Sequence, residues 1–66
     1  NNMFNRIRVG DRVKVSFKNT PSFGKQGIVV RMRGLDEMPE LSCEIIYDGD
    51  EKKTPITWYL SRLTKI

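Results

Sequence analysis

The chain has 66 residues, of which 38% are hydrophobic and 30% are charged, and its formal net charge at pH 7 is +4. This length allows one domain with one thin core and leaves no room for an enclosed active-site cavity, while the apolar content excludes a disordered chain. The chain contains one cysteine and no histidine, which excludes a cysteine–histidine catalytic pair, an internal disulfide and a typical structural zinc site.

We therefore expect a binding domain that is not an enzyme and has no cofactor or metal. The lone thiol, Cys43, lies in a strand-like run and is expected to be a small buried side chain. An unpaired cysteine suggests the cytoplasm or another reducing compartment. No apolar run approaches the roughly 20 residues of a transmembrane helix, so membrane insertion is not expected.

Charge is unevenly distributed along the sequence. Residues 1–33 contain eight basic residues and one acidic residue, whereas residues 34–66 contain four basic and seven acidic residues. A basic half of this kind attracts phosphate groups or an acidic protein surface. The alternative is a solvated strand surface whose charges only discourage edge-to-edge aggregation.

The chain begins with a predicted tail or lead-in, residues 1–9, followed by one domain, residues 10–66. The apolar side chains Phe4, Ile7 and Val9 are candidates for docking the lead-in on that domain.

Two strands with a period of two open the domain. The first is predicted for Arg12–Lys18, and its inward-facing residues are Val13, Val15 and Phe17. The second is predicted for Gly27–Arg33, and its inward-facing residues are Ile28, Val30 and Met32. The basic residues predicted to point outward are Arg12, Lys14, Arg31 and Arg33.

A loop joins these two strands. Asn19–Ser22 is not expected in a strand, because Pro21 has no backbone donor and its neighbours favour turns. Phe23 either packs over the mouth of the fold or is an exposed platform on which a base can stack. Gly24 and Gly27 indicate backbone with positive φ or a close approach before the second strand.

The second half of the domain begins with an acidic loop at Leu35–Glu40 and a third strand at Leu41–Asp48. Asp48–Glu51 is typical of a hairpin turn, and a fourth strand is predicted for Lys53–Trp58. Pro55 indicates an edge position for this strand.

The chain closes with a helical turn at Tyr59–Ser61 and a short strand at Arg62–Ile66, in which Leu63 and Ile66 are expected to enter the core. Five short strands with turn signals every 8–12 residues predict an all-β fold. We therefore expect a small five-stranded barrel with one short helical turn before the last strand.

The order of these elements resembles the Src-homology-3-like (SH3-like) barrel, and the stretch GDRVKVSFKNTPSFGKQGIVVRM is similar to a KOW motif. The residues that carry the motif are Gly10, Asp11, Val13, Val15, Gly27, Ile28 and Val30. The resemblance implies RNA binding or protein docking through the loops. By position, the implied basic contact residues are Lys18, Lys25, Arg31 and Arg33.

Two other families share part of this pattern. Small SH3-like subunits of photosynthetic electron-transport complexes also begin GDxV, and their closing pattern is similar to Thr57–Leu63. That resemblance implies a basic face that receives acidic ferredoxin. The plasmid-borne type II dihydrofolate reductases share the GDRV start, but Thr54–Tyr59 lacks their Val-Gln-Ile-Tyr motif.

These observations predict a non-enzymatic module that binds nucleic acid, RNA or DNA, through a basic face of the first two strands. The alternative is docking on an acidic protein partner or a larger complex. Trp58 is expected in the core, because Ile56 shares its strand face, and Tyr59 is the more exposed aromatic residue. The residues predicted to form the binding surface are Arg12, Lys14, Lys18, Phe23, Lys25, Arg31, Arg33 and Tyr59.

Overall fold

A computed structural model describes residues 6–33 and 41–66. The predicted docking of Phe4 and the predicted acidic loop at Leu35–Glu40 lie outside these residues. The described part contains five strands and a single 3-10 turn before the last strand, as the sequence predicts. In chain order the elements are β1 (Arg12–Val15), β2 (Gln26–Arg33), β3 (Ser42–Tyr47), β4 (Ile56–Tyr59), the 3-10 turn (Leu60–Arg62) and β5 (Leu63–Lys65).

The strands form one antiparallel sheet in the order β4-β3-β2-β1-β5. β1 lies between β2 and β5, so that Val13 is opposite Gly27 on one side and Lys65 on the other. β4 is an edge strand, which explains why Pro55, directly before it, is tolerated.

One core cluster holds the sheet together. Its members come from four of the strands and from the segment before β1: Ile7, Val13, Val15, Val29, Cys43, Ile45 and Leu63. Partly buried side chains packed against it are Phe17, Met32, Tyr47, Trp58 and Leu60. Because one sheet supplies nearly all of these residues, it must wrap around its own inner face. Ile7, from the predicted lead-in, is buried in this core, whereas Val9 is exposed.

The inner face of β2 differs from its prediction. Ile28 and Val30 were expected inside, but they are 40% and 38% exposed, and Val29 is buried between them. A register shift between Val29 and Arg31 marks a β-bulge, which returns Met32 to the inner side opposite Cys43. The prediction for Ile28 and Val30 is therefore wrong, because strict alternation cannot anticipate an extra residue in the strand.

β1 and β4 are shorter than predicted at the ends that lead into or out of turns. β1 ends at Val15, although the next amide, that of Ser16, still donates to the carbonyl of Arg62 (2.9 Å), directly before β5. β4 begins only at Ile56 because Asp50 accepts the amides that precede it, including that of Thr54 at 2.9 Å.

Ile66 was expected in the core, and that prediction is wrong. The side chain is 52% exposed, although its amide still donates to the carbonyl of Arg12 (3.0 Å). Leu63 is buried as predicted. Three positions separate the two residues, so the strand period of two places them on opposite faces.

Candidate functional site

The β1–β2 loop, residues 16–25, is closed by backbone hydrogen bonds at its base. The amide of Val15 donates to the carbonyl of Lys25 (2.8 Å), and the amide of Gly24 donates to the carbonyl of Val15 (2.9 Å). Gly24 has φ of +87°, which favours glycine at this position, as the sequence predicts. Within the loop, Thr20 accepts the amides of Ser22 and Phe23. The loop therefore holds its side chains on a defined backbone.

Phe23 is the exposed aromatic residue of this loop. Its side chain is 50% exposed and does not belong to the core cluster or to the residues packed against it. Of the two predicted arrangements, packing over the mouth or exposure as a platform, the structure favours exposure.

Three lysines surround this part of the molecule. Lys14 on β1 and Lys18 and Lys25 in the loop are all exposed, and none of them forms an ion pair with another described residue. The Lys25 ammonium lies 5.0 Å from the centroid of the Tyr47 ring. We call Lys14, Lys18, Phe23 and Lys25 the loop surface.

Arg12 is also exposed, but its guanidinium already forms hydrogen bonds within the fold. Its guanidinium donates to both carboxylate oxygens of Asp48, at 3.0 and 2.6 Å, and to Gln26 at 3.4 Å. The hydrogen bond from Arg12 lowers the pKa of Asp48 and raises the pKa of Arg12 itself. Arg12 is therefore less available to a phosphate than the lysines are.

Arg31 and Arg33 lie toward the other end of β2 from the loop. Lys25 and Arg31 are about 20 Å apart if the strand is extended, and the β-bulge lies between them. Arg33 donates to Glu44 (3.2 Å), whereas Arg31 is exposed and has no ion pair among the described residues. The structure thus divides the predicted basic face into the loop surface and a second, partly neutralised region.

Tyr59 is exposed at the end of β4, and sequence reasoning missed its most important neighbour. The guanidinium carbon of Arg62 lies 5.5 Å from the Tyr59 ring centroid and 4.0 Å from that of Phe17. In the sequence, Arg62 is distinguished only by its position directly after the predicted helical turn. Its contact with Phe17, 45 positions earlier in the chain, is set by the fold and leaves no local pattern.

Cys43 is buried in the core, as predicted, and Trp58 is partly buried and packs against that core. They lie opposite each other on β4 and β3, and the indole Nε1 of Trp58 donates to the hydroxyl of Tyr47 (2.8 Å). Burial raises the pKa of the Cys43 thiol to about 11, with a smaller contribution from Glu44. The thiol is therefore protonated at neutral pH and is a poor nucleophile.

Residues 6–33 and 41–66 contain no cluster of three or more His, Cys, Asp or Glu side chains arranged to hold a metal ion. No helix in this part of the chain has the length and apolar character needed to cross a membrane.

Comparison with known proteins leaves the family open. No protein-family model matches the chain, and no curated protein or solved structure gives a significant match. The resemblance to KOW-containing and other SH3-like proteins therefore stays a prediction.

Proposed function

We propose that this domain binds nucleic acid through the loop surface, defined above by Lys14, Lys18, Phe23 and Lys25. One observation carries the proposal: three exposed ammonium groups, none in an ion pair with a described residue, accompany a half-exposed phenyl ring. Lysines attract the phosphate backbone, and an aromatic ring stacks on any unpaired base. This combination favours single-stranded nucleic acid, because duplex bases do not offer their faces.

The expected binding is weak and depends strongly on salt. Each neutralised phosphate adds about 0.7 to 0.9 to the slope of log K against log salt, so three lysine contacts give a slope of about −2 to −3. Stacking on one ring adds ~1–3 kcal/mol. We therefore expect dissociation constants from micromolar to about 0.1 mM, with little preference for sequence.

Fluorescence anisotropy of labelled single-stranded RNA and DNA, at low and near-physiological salt, tests the proposal. In the test variant, Lys18→Glu is combined with Lys25→Glu. In the control, Lys52→Glu is combined with Lys53→Glu, which changes the net charge equally. Lys52 and Lys53 follow the acids Asp50 and Glu51, so phosphate is not expected to bind there.

We expect the test variant to lose about 10-fold or more in affinity at low salt, and the control to lose much less. Phe23→Leu, which keeps an apolar side chain, should weaken binding by about 5-fold or more if a base stacks on the ring. Equal losses in the two double variants would show that only net charge matters. Absence of binding at low salt would reject the proposal.

A second candidate function is docking on an acidic protein, such as a ferredoxin. Exposed Ile28 and Val30 favour it, because they lie beside Arg31 on the outer side of β2 and form a mixed apolar and basic surface. Calorimetric titration with a ferredoxin would give a salt-dependent Kd, and Ile28→Ser with Val30→Ser would weaken it. Under this alternative, oligonucleotides would not bind.

A further inference from the structure

Among the described residues, aromatic rings and not carboxylates contact the Arg62 guanidinium. The guanidinium contacts the rings of Phe17 and Tyr59, and no carboxylate of a described residue lies within 4.0 Å of it. No hydrogen bond joins the guanidinium to another described residue. Its planar set of donors is therefore positioned in advance and still available to an anion.

A groove of about 320 Å³ opens beside this arginine. Its lining consists of Ser42, Thr57, Trp58, Tyr59 and Arg62. Ser42 and Tyr59 are opposite each other in the β3–β4 register, so two hydroxyl-bearing side chains meet there. The indole N–H is already bonded to Tyr47, which leaves Trp58 to supply apolar surface. We call these five lining residues the Arg62 groove.

The charges around the Arg62 groove favour an anion. Glu44 lies opposite Thr57, but its carboxylate accepts a hydrogen bond from Arg33 at 3.2 Å. Arg33 is in turn opposite Ser42 across the β2–β3 pair. Among the described residues around the groove, the two arginines outnumber the one carboxylate, so their combined field is positive.

The Arg62 groove adjoins the start of the β1–β2 loop. Lys18 directly follows Phe17, and Phe17 is the ring that contacts the Arg62 guanidinium. The amide of Ser16 donates to the carbonyl of Arg62 (2.9 Å), which holds the start of the loop against the 3-10 turn. A ligand lying along the loop can therefore extend to the groove.

We propose that the Arg62 groove binds one nucleotide of a single strand, with its phosphate on the Arg62 guanidinium and its base against the Tyr59 ring. The volume is at the lower end for small-ligand pockets, which suits a single nucleotide. The pairing of a cation with hydroxyls and aromatic surface matches a phosphate joined to a base, whereas a carboxylate alone would leave the rings unused. This inference rests on the proposed function, because the loop surface would hold the neighbouring nucleotides.

NMR titration of the ¹⁵N-labelled domain tests the inference with adenosine 5′-monophosphate, adenosine, inorganic phosphate and acetate as separate probes. We expect the mononucleotide to shift the Arg62 Nε–H and Trp58 indole resonances in a saturable way. Its affinity should exceed that of each other probe by about 10-fold or more, because only the mononucleotide presents both phosphate and base. Equal or tighter binding of acetate would overturn the inference in favour of a carboxylate ligand.

Arg62→Lys keeps the charge but loses the planar donors, and should weaken mononucleotide binding by about 5-fold or more. Arg8→Lys, at an exposed arginine that belongs to neither the loop surface nor the Arg62 groove, is the matched control and should leave it unchanged. Thr57→Val removes one groove hydroxyl without touching the ring contacts, so it tests the site even if substitution of Arg62 disturbs the fold. Unchanged affinity in both Arg62→Lys and Thr57→Val would overturn the inference.

Failure of this inference can be told from failure of the proposed function. Oligonucleotide binding that Lys18→Glu with Lys25→Glu abolishes, without any mononucleotide shift at Arg62, would overturn the groove site and leave the loop surface in place. A saturable shift at Arg62 without oligonucleotide affinity would support the groove as a nucleotide site and reject the loop surface.

Discussion

The β1–β2 loop and the β3–β4 hairpin, residues 48–55, are both ordered turns, but they use their charges differently. In the hairpin, Asp50 accepts the amides of Lys52 (3.1 Å) and Thr54 (2.9 Å), and Asp48 pairs with Arg12. In the loop, backbone carbonyls and one threonine hydroxyl provide the internal bonds, while Lys18 and Lys25 form no ion pair with a described residue.

This difference separates charge that builds the fold from charge that is left for a partner. The Asp50 carboxylate accepts two amides that have no partner in a neighbouring strand, so its removal costs stability. The ammonium groups of Lys18 and Lys25 form no ion pair with a described residue, and Lys25 adds one contact with the Tyr47 ring, so their removal should cost little stability. Substitutions in the two turns can therefore confirm or break the distinction.

The largest effect is expected at Gly27, where the loop enters the sheet beside the end of β3. A Cβ at this position would collide with the carbonyl oxygen of Ile46. Gly27→Ala should lower the free energy of unfolding by about 3 kcal/mol or more, because the obstacle is backbone. Urea denaturation measures this. A loss below that of Gly24→Ala would contradict the packing described here.

Gly24→Ala is the matched control within the loop. A Cβ at Gly24 meets no atom within 4 Å, but φ there is +87°. The expected loss is about 1 kcal/mol, from backbone strain alone.

Asp50→Ala should lower the free energy of unfolding by about 1–2 kcal/mol, because two hairpin amides lose their acceptor. Oligonucleotide affinity should not fall. Glu51→Ala is the control, since Glu51 is adjacent and accepts neither amide. Urea denaturation and anisotropy should be run on the same preparations. Equal destabilisation by the two substitutions, or a loss of affinity in Asp50→Ala, would break the distinction between the two turns.

Asp48→Asn should have the smallest effect on stability. The pH dependence of that effect shows whether the ion pair with Arg12 is its cause. The pKa of Asp48 in the folded protein is lowered below 3.8 by the hydrogen bond from Arg12. A lowered pKa means that the ion pair stabilises the fold above the ordinary pKa and that this contribution disappears as the pH falls through the folded-state value. The partners are exposed, so the contribution is small.

Thermal unfolding of the unsubstituted protein and Asp48→Asn should therefore differ by a constant amount between about pH 5 and 7. The two melting temperatures should converge in more acidic solution. A difference that grows as the pH falls would contradict the assigned role of Arg12.

Much of the fold could be predicted from the sequence, because strand periodicity and turn residues are local signals. Val13 and Val15 are buried, Cys43 and Ile45 face the core, and the single helical turn precedes the last strand. The phase of β2 could not be predicted, because a β-bulge is decided by pairing with a distant strand. The residue types along the sequence therefore predict where the strands lie, but not which side chains of β2 point inward.

The site was predictable as a set of charges but not as a set of contacts. Exposure of Lys14, Lys18 and Lys25 followed from their place in the pattern. The ion pair of Arg12 depends on an acid in the β3–β4 hairpin and that of Arg33 on an acid in β3, and the stacking of Arg62 depends on how the sheet wraps. The partners that a long side chain contacts depend on the tertiary structure, which cannot be read from a single sequence.

The pairing of β1 with β5 also constrains the order in which the chain can fold during synthesis. Val15 lies opposite Leu63, and both belong to the core, so the covering of β1 waits for residues near the end of the described chain. Such distant pairing is slow relative to hairpin formation. Until residues 63–65 are free to pair, β2–β4 can form their consecutive antiparallel pairs, but one side of β1 stays open. A nascent chain halted before Leu63 would therefore present an unpaired, valine-bearing strand that chaperones or aggregation can capture.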